Sequence, residues 1–268
     1  QGDALGLTFL RQPVGASDFA SPLYTYDDMA QGQTDTSLNN FSIAHDTNPV
    51  VSSNKLEAYG NVENGYSMVQ MLQMAKAASG NNITFFATPW TAPLWMKTYY
   101  RWNTIDDNGD VLSNTLNTNY YGTYANYLVK FLKAYADNGI DFSYMSPQNE
   151  PSARHGITSM YMSATHMSNF VRNNLSGAVN SYNSTYGKSV KLVGFDFNTH
   201  HGYTQFITDT MMNYYTGGVA FHAYSNAYYD ELVTVYNKYG KKVFITEAAG
   251  NTSLNSYKGD GTYSTAYF

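Results

Sequence analysis

The sequence predicts an α/β protein, a (β/α)8 TIM barrel of which the chain supplies an incomplete part covering about strands 2 to 7. Two observations lead to this fold class. Short apolar runs alternate with longer amphipathic segments along most of the 268 residues, which is the pattern of a parallel sheet with crossover helices. No glycine-rich phosphate-binding turn follows the first run and no P-loop motif occurs, so a doubly wound nucleotide-binding sheet lacks support.

Six short apolar runs are predicted to be buried strands. The first is broken by Pro13 and the second is stopped by Pro89, because proline cannot donate a ladder hydrogen bond. The predicted strands are residues 5–11, 83–88, 140–145, 189–195, 218–224 and 242–246.

Five amphipathic segments between these strands are predicted to be helices. In one of them, Tyr124, Leu128 and Leu132 recur at the four-residue spacing that places side chains on one helix face. The predicted helices are residues 66–78, 120–137, 158–179, 203–215 and 230–239.

Two long segments, residues 15–61 and 89–118, follow the first two strands. In a parallel barrel the loops after the strands build the active-site face, so we expect binding residues in both. An eight-stranded barrel needs two strands more than the six predicted. We therefore expect residues 1–268 to be a single catalytic barrel domain that lacks the first and last strands.

Composition and charge narrow the possible partners. A net charge of -5 and a pI near 5.6 leave no basic surface for nucleic acid. No window approaches the roughly 18 uninterrupted apolar residues of a membrane-spanning helix, so we expect no integral membrane segment. The chain has no cysteine, which excludes disulfides and cysteine nucleophiles. The 26 tyrosines and three tryptophans offer aromatic faces that suit a neutral sugar ligand.

The compartment is predicted from composition alone. No signal peptide is visible in this chain. Abundant Asn, Ser, Thr and Tyr with few Lys and Glu residues indicate an extracellular, secreted protein. The sequence leaves the oligomeric state open.

Two glutamates stand where apolar runs end. Glu150 lies within Asn149-Glu150-Pro151 after the third predicted strand, and Glu247 follows the sixth. Because the carboxyl ends of parallel strands meet at one face of a barrel, we expect the two carboxylates to face each other. A retaining glycoside hydrolase needs such a pair about 5–5.5 Å apart, one as acid/base and one as nucleophile. The charge of the nucleophile and partial burial are expected to raise the pKa of the acid.

Further motifs extend this interpretation. Residues 11–19 read Arg-x-Pro-x-x-x-Ser-Asp-Phe, and residues 89–97 read Pro-Trp-Thr-x-Pro-x-Trp-x-Lys. With the Asn-Glu-Pro triplet, the 221–224 segment Phe-His-Ala-Tyr and the 244–248 segment Phe-Ile-Thr-Glu-Ala, they span nearly the whole chain. In this order of motifs the chain resembles glycoside hydrolase family 30, which includes glucosylceramidases and microbial endo-β-1,6-glucanases.

The resemblance implies specific roles for the two glutamates. Glu150 would be the acid/base on the fourth barrel strand, and Glu247 would be the nucleophile on the seventh. Neither a metal nor an organic cofactor is implied. The family's eighth strand and its associated β-sandwich domain have no counterpart in the 268 residues.

The resemblance also implies substrate-binding residues. Asn149 would bind the 2-hydroxyl of the sugar, and Asp18 and Trp90 would hold its other hydroxyls. Arg11 would lie beneath the nucleophile, and His222 and Tyr224 would flank it from the sixth strand. The residues alone leave structural alternatives open, namely a loop cap for Asp18, core packing for Trp90, an ion pair for Arg11 and a buried core histidine for His222.

Two remaining features receive weaker interpretations. Asp196, after the fifth barrel strand, is a secondary site candidate, and His200-His201 is expected to be a loop pair because no third metal ligand lies at useful spacing.

The predicted substrate is a β-linked glucan or glucoside. Xylan or galactan as substrate, or a non-catalytic carbohydrate-binding barrel, are the alternatives.

Overall fold

The computed structural model describes residues 6–48, 66–224 and 229–248, together with the backbone of two short strands near the end of the chain. Six parallel strands form one sheet in which each strand pairs with its neighbour in sequence. These strands are β1 (Phe9–Val14), β2 (Thr84–Pro89), β3 (Phe142–Met145), β4 (Lys191–Asn198), β5 (Gly218–His222) and β6 (Val243–Glu247). The strands β7 (Tyr257–Lys258) and β8 (Thr262–Tyr263) form a separate antiparallel pair.

The six-stranded sheet curls into an incomplete (β/α)8 barrel. The rings of Phe9 in β1 and Phe244 in β6 lie 5.9 Å apart, although β1 and β6 are opposite edges of the sheet. In a flat sheet five strand spacings would separate these edges by about 24 Å. A cavity of about 510 Å³ lies between the two edges and is lined by residues 6–9 and 243–245. The predicted fold class is confirmed.

All six predicted strands are confirmed, with shifts of a few residues at their ends. The largest difference is at β1, which continues through Pro13 to Val14. An edge strand tolerates proline because the missing N–H can face the side that has no partner strand. Residue 5, the predicted start of this strand, and residues 49–61 of the first long loop lie outside the described residues.

The helices pack on the outer face of the sheet, and three of the five predictions match closely. The helices are α1 (Ala44–Thr47), α2 (Met68–Ala78), α3 (Tyr121–Asp137), α4 (Ala164–Phe170), α5 (Ser176–Tyr186), α6 (Tyr203–Phe206), α7 (Asp209–Met212) and α8 (Tyr229–Tyr239). The predicted stripe of α3 is fully buried against the sheet. No helix among the described residues has the length and hydropathy needed to cross a membrane.

Two helix predictions were wrong in their bounds. The helix predicted at 158–179 begins only at Ala164, because the Ser163 hydroxyl caps it by accepting a hydrogen bond from the His166 N–H. It then continues through a π-helical turn, Val171–Leu175, to Gly187, which ends it in a left-handed conformation. The segment predicted as one helix at 203–215 forms α6 and α7 instead. Thr208 caps the second of these as Ser163 caps α4.

Buried polar side chains connect the two long loops to the barrel through hydrogen bonds. In the first loop, Asp46 is 1% exposed and accepts hydrogen bonds from the hydroxyls of Tyr24 and Tyr135, both at 2.5 Å. Because Tyr135 belongs to α3, this carboxylate joins the loop to a helix. In the second loop, the Lys97 ammonium donates to Thr91 Oγ1 at 2.8 Å and to the carbonyl of Ser159 at 3.1 Å. It therefore links the loop after β2 to the loop after β3.

Candidate active site

The barrel interior is built from two layers of side chains. Each of the six strands contributes one side chain to each layer. The lower layer is apolar and consists of Phe9, Phe86, Tyr144, Val193, Ala220 and Phe244. The layer above it is polar and consists of Arg11, Thr88, Ser146, Asp196, His222 and Thr246. Five of the six polar residues follow their apolar counterpart by two positions, which is the period of a strand.

Asp196 is the exception, because it follows Val193 by three positions. The pairing of β4 with β5 skips Asp196, which is the extra residue of a β-bulge. Phe195 and Asp196 both adopt positive φ angles, of 72° and 61°, which are uncommon for residues other than glycine. The bulge thereby turns the Asp196 carboxylate into the barrel.

Asp196 is the centre of the polar layer. It is 0% exposed, and its two oxygens accept hydrogen bonds from the other five members of the layer at 2.6–3.3 Å. Burial alone would raise the pKa of this carboxyl, but the Arg11 guanidinium and the His222 hydrogen bond outweigh burial and hold the pKa well below its usual range. Asp196 is therefore a fixed negative charge, and it is central to the site rather than the weak candidate that the sequence predicted.

Glu247 lies at the end of β6, next to this layer. A bulge at Thr246 places both Thr246 and Glu247 on the inner side. Arg11 donates to Glu247 Oε1, and the Tyr224 hydroxyl donates to Oε2 at 2.8 Å. Burial and the charge of Glu247 raise the pKa of Tyr224, so its phenol keeps the proton that it donates. The structure thus places Arg11 and Tyr224 beside Glu247, as the resemblance implied.

Glu150 lies beyond the end of β3 and faces the same space. Its φ angle is 46°, and its N–H donates to the carbonyl of Asp196 at 3.0 Å, so the β4 bulge also orients this backbone. Two imidazoles contact its carboxylate: His222 Nδ1 lies 3.0 Å from Oε1, and His155 Nε2 lies 2.8 Å from Oε2.

The charge state of Glu150 differs from the expectation. Burial raises the pKa of this carboxyl, as expected, but the hydrogen bonds from His155 and His222 outweigh burial and lower the pKa to about 2. The expectation of a raised pKa was therefore wrong. A neighbouring carboxylate would raise the pKa, but the two imidazoles that contact Glu150 lower it.

The two carboxylates are close to each other. One oxygen of Glu150, one oxygen of Glu247 and a ring nitrogen of His222 all lie within 4.8 Å of one another. These three groups could also hold a metal ion. However, each carboxylate oxygen already has a protein donor, from Arg11 and Tyr224 on one side and from the two imidazoles on the other. That the site works without a metal stays a prediction.

The predicted substrate-binding residues surround this centre to different degrees. Asn149 is buried, and its Oδ1 accepts from Arg11 Nη2 at 2.8 Å. The Trp90 ring is 8% exposed and lies 4.8 Å from the Arg11 guanidinium, a cation–π contact. Asp18 is exposed, and its charge contributes to the raised pKa of His155, which places it on the same side of the barrel.

His222 has two roles that the sequence did not separate. It is buried as the structural alternative expected, with Nε2 3.3 Å from Asp196 Oδ1. It also contacts both glutamates, since Nδ1 lies 3.0 Å from Glu150 and 3.5 Å from Glu247. The burial expected of a core histidine is therefore observed, whereas a role of His222 in binding substrate stays a prediction.

Sequence reasoning missed His155 and half of the polar layer. Thr88, Ser146 and Thr246 each stand at the end of an apolar run and two residues after a large or apolar side chain, so the strand period could have identified them. His155 has no such signal, because it lies in an irregular loop five residues after Glu150. The pair expected in a loop, His200-His201, lies in a short 3-10 helix, Thr199–His201, where the His201 ring stacks on the Phe197 ring at 4.0 Å.

A parallel barrel with two carboxylates facing each other at the carboxyl ends of its strands is typical of one class of proteins, the barrel glycoside hydrolases. Within this class, the chain belongs to glycoside hydrolase family 30. The model of the glycosyl hydrolase family 30 TIM-barrel domain matches residues 1–266. The resemblance seen in the sequence motifs is confirmed.

The relatives carry two kinds of name. Putative glucosylceramidase 4 of Caenorhabditis elegans is 33% identical over 233 residues, which are 84% of this chain and 40% of that protein. An endo-1,6-β-D-glucanase of Neurospora crassa is 28% identical over 242 residues, which are 89% of this chain and 44% of that protein. The chain thus spans less than half the length of these relatives.

Solved structures support the same fold. An endo-β1,6-glucanase superposes with a TM-score of 0.63 at 25% identity, covering 88% of this chain and 47% of that one. SrfJ of Salmonella typhimurium superposes with a TM-score of 0.70 at 19% identity, covering 92% of this chain and 50% of that one. The second likeness concerns the fold alone.

Proposed function

We propose that this chain carries the catalytic centre of a retaining glycoside hydrolase that cleaves β-glucosidic bonds, with Glu150 as acid/base and Glu247 as nucleophile. The observation that carries the proposal is the pair of carboxylates, with one oxygen of each within 4.8 Å of the other. Inverting enzymes keep their carboxyl groups about 6.5–9.5 Å apart to admit a water, whereas retaining enzymes bring them to about 5–5.5 Å.

The contacts of Glu247 support its role as nucleophile. A nucleophile must be ionised and must present one lone pair to the anomeric carbon. Arg11 and Tyr224 donate one hydrogen bond to each oxygen of Glu247, which stabilises the negative charge and fixes the plane of the carboxylate. The other terminal nitrogen of the Arg11 guanidinium, Nη2, donates to Asp196 in the polar layer.

The reaction proceeds in two displacements. Glu247 attacks the anomeric carbon while Glu150 gives a proton to the leaving oxygen, so that a glycosyl-enzyme ester and a free alcohol form. Glu150 then removes a proton from water, and the resulting hydroxide displaces Glu247 from the sugar. Asn149, Asp18 and Trp90 surround this space and would hold the hydroxyls of the sugar. Neither step requires a metal or a redox cofactor.

The substrate class rests on the relatives. Their names include glucosylceramidase and endo-1,6-β-glucanase, which share a β-linked glucose as the sugar whose bond is cleaved. We propose that glycone for this chain, in a substrate that is a β-linked glucan or glucoside. We further propose an extracellular site of action, which the composition supports, and a single catalytic barrel domain over residues 1–268.

Kinetics with an activated aryl β-glucoside test the proposal. Glu247→Gln keeps the shape of the side chain but removes the nucleophile, so turnover should fall by at least about 10⁴-fold while binding of glucose-based ligands persists. Glu231→Gln, on α8, is the matched control and should turn over normally. Retention is read directly from the anomer of the first product by NMR. An α-configured first product, or unchanged turnover in Glu247→Gln, would overturn the proposal. If the unaltered protein binds sugar without turnover, a non-catalytic carbohydrate-binding barrel is favoured instead.

A further inference from the structure

His155 contacts the proposed acid/base directly and has no role in the mechanism above. Its Nε2 lies 2.8 Å from Glu150 Oε2, while the other oxygen of Glu150 faces His222. The backbone of His155 is fixed on both sides by Thr104, which is 0% exposed: the His155 N–H donates to the Thr104 hydroxyl at 2.8 Å, and the His155 carbonyl accepts from the Thr104 N–H at 3.1 Å. The backbone that carries the imidazole is therefore fixed by a buried residue.

The contact between His155 and Glu150 affects the supply of the proton that acid catalysis needs. A carboxyl whose pKa is about 2 carries a proton in only about one molecule in 10⁴ at pH 6, so Glu150 by itself is a poor acid in this state. The hydrogen bond to Glu150, together with its charge and that of Asp18, outweighs partial burial and raises the pKa of His155. The raised pKa favours a proton on this imidazole, whose Nε2 lies 2.8 Å from Glu150 Oε2.

The other charged groups around Glu150 cannot supply this proton as readily. Burial lowers the pKa of His222, but its hydrogen bonds to Asp196 and Glu150 outweigh burial and raise it. Its side chain is fully buried between these two carboxylates, so solvent does not reach it directly to replace a proton. Arg11 does not release a proton. The pKa of His201 is lowered by burial and by His200, so it is neutral at neutral pH. Tyr224 keeps its proton, because burial and the charge of Glu247 raise its pKa. The other groups near Glu150 in the described part of the site, Asp18, Asp196 and Glu247, are carboxylates. His155, whose side chain is 38% exposed, can be reloaded from solvent.

We propose that His155 is a positioning residue that stores the catalytic proton, so that Glu150 and His155 share one proton as a pair. This inference rests on the proposed function. In the resting pair the proton is on His155 Nε2. It crosses to Glu150 Oε2 when substrate excludes water, and passes to the glycosidic oxygen as the carbon–oxygen bond breaks and Glu247 bonds to the anomeric carbon. In the second displacement Glu150 takes one proton from the attacking water and returns it to His155, so each turnover consumes one water and leaves the pair unchanged.

The dependence of the rate on the leaving group tests this role. A 2,4-dinitrophenolate leaves without protonation, whereas a phenolate or an alkoxide needs an acid. For His155→Gln, we expect kcat/KM for the dinitrophenyl β-glucoside to stay within about twofold, and kcat/KM for the phenyl β-glucoside to fall about 100-fold, the lower range of general acid catalysis. The alkaline limb of the pH profile should also move to lower pH by at least about one unit, because the proton store is lost. His45→Gln, an exposed histidine in the first loop, is the matched control and should behave as the unaltered protein.

A double-mutant comparison separates this inference from the proposed function. Glu150→Gln should show the same leaving-group dependence, and adding His155→Gln to it should cause no further loss, since both changes remove one proton path. If the unaltered protein does not hydrolyse the dinitrophenyl β-glucoside, or if Glu150→Gln hydrolyses phenyl β-glucoside normally, the proposed function itself fails. If Glu150→Gln behaves as expected but His155→Gln loses both substrates equally, or neither, only the proton store is refuted.

A measurement on the unaltered fold keeps the test decisive if His155→Gln does not fold. The imidazole of His155 can be followed by NMR as the pH is raised. We expect it to stay protonated above the ordinary histidine value of about 6.5 and to return to about that value in Glu150→Gln. An ordinary titration in the unaltered protein would overturn the inference.

Discussion

Asp196→Asn removes the buried charge on which the polar layer depends, and its effect can be estimated from the structure. The substitution preserves the shape of the side chain and one oxygen acceptor, so part of the five hydrogen bonds survives. It leaves the Arg11 guanidinium with Glu247 as its one carboxylate partner in the described part of the site. Breaking one side of a buried ion pair costs about 3–5 kcal/mol, and the remaining acceptor favours the lower end, about 3 kcal/mol. For a domain of this size, that corresponds to a fall in Tm of about 6–12 °C.

Thermal and denaturant unfolding at pH 7 measure this effect. Asp107→Asn is a matched control, because Asp107 also pairs with an arginine, Arg101, but its side chain is 86% exposed. The control should melt with the unaltered protein, since water screens an exposed pair. If Asp196→Asn also melts within about 2 °C of the unaltered protein, the charge of Asp196 does not stabilise the barrel, and the reasoning from burial is refuted.

The pH dependence gives a second check of the same reasoning. Because the folded state lowers the pKa of Asp196, its contribution to stability is complete above the unfolded pKa of about 3.9 and decreases as the pH falls below that value. The difference in free energy of unfolding between the unaltered protein and Asp196→Asn should therefore be constant near neutrality and shrink below about pH 4. A difference that grows on acidification would show that the pKa is raised instead.

Three further changes have distinct expected outcomes. Gly218→Ala should prevent stable folding, because φ is +125° and the new Cβ would lie 2.1 Å from the Lys242 carbonyl oxygen. Gly177→Ala, in α5 with open space around it, should instead raise the free energy of unfolding in urea by about 0.5–1 kcal/mol. For Lys97, burial lowers the pKa to about 7, so the unfolded chain binds more protons than the folded protein between pH 7 and 10. The free energy of unfolding of the unaltered protein should therefore rise relative to that of Lys97→Met as the pH increases through this range. A decrease would contradict the lowered pKa. Tyr224→Phe removes the phenol from the proposed nucleophile and should lower kcat/KM at least about tenfold without changing Tm, and an unchanged kcat/KM would show that this hydrogen bond does not serve the reaction.

Much of the fold could be predicted because each strand is encoded locally. A short apolar run bounded by proline or polar residues identifies a buried strand regardless of its neighbours, and all six were found in this way. Helix bounds were less predictable. The helix that begins at Ala164 was placed six residues too early, since its start depends on the Ser163 cap and not on hydrophobic period.

The site was predictable where residues end a strand and was not where the backbone deviates from it. Glu150 and Glu247 follow apolar runs, so a parallel barrel brings them together. Asp196 could not be ranked correctly, because strand alternation from Val193 turns it away from the barrel and a one-residue bulge reverses that direction.

The sequence by itself determined the parallel barrel, the family and the two facing carboxylates, because strand period and local motifs are properties of adjacent residues. The tertiary structure alone decided that Asp196 is the buried counter-charge and that His155 reaches Glu150. It also decided that the pKa of Glu150 is lowered rather than raised, because hydrogen bonds from two imidazoles outweigh burial. The physical reason is that hydrogen bonding and desolvation depend on which groups lie within about 3 Å in space, and here those groups come from different strands and loops.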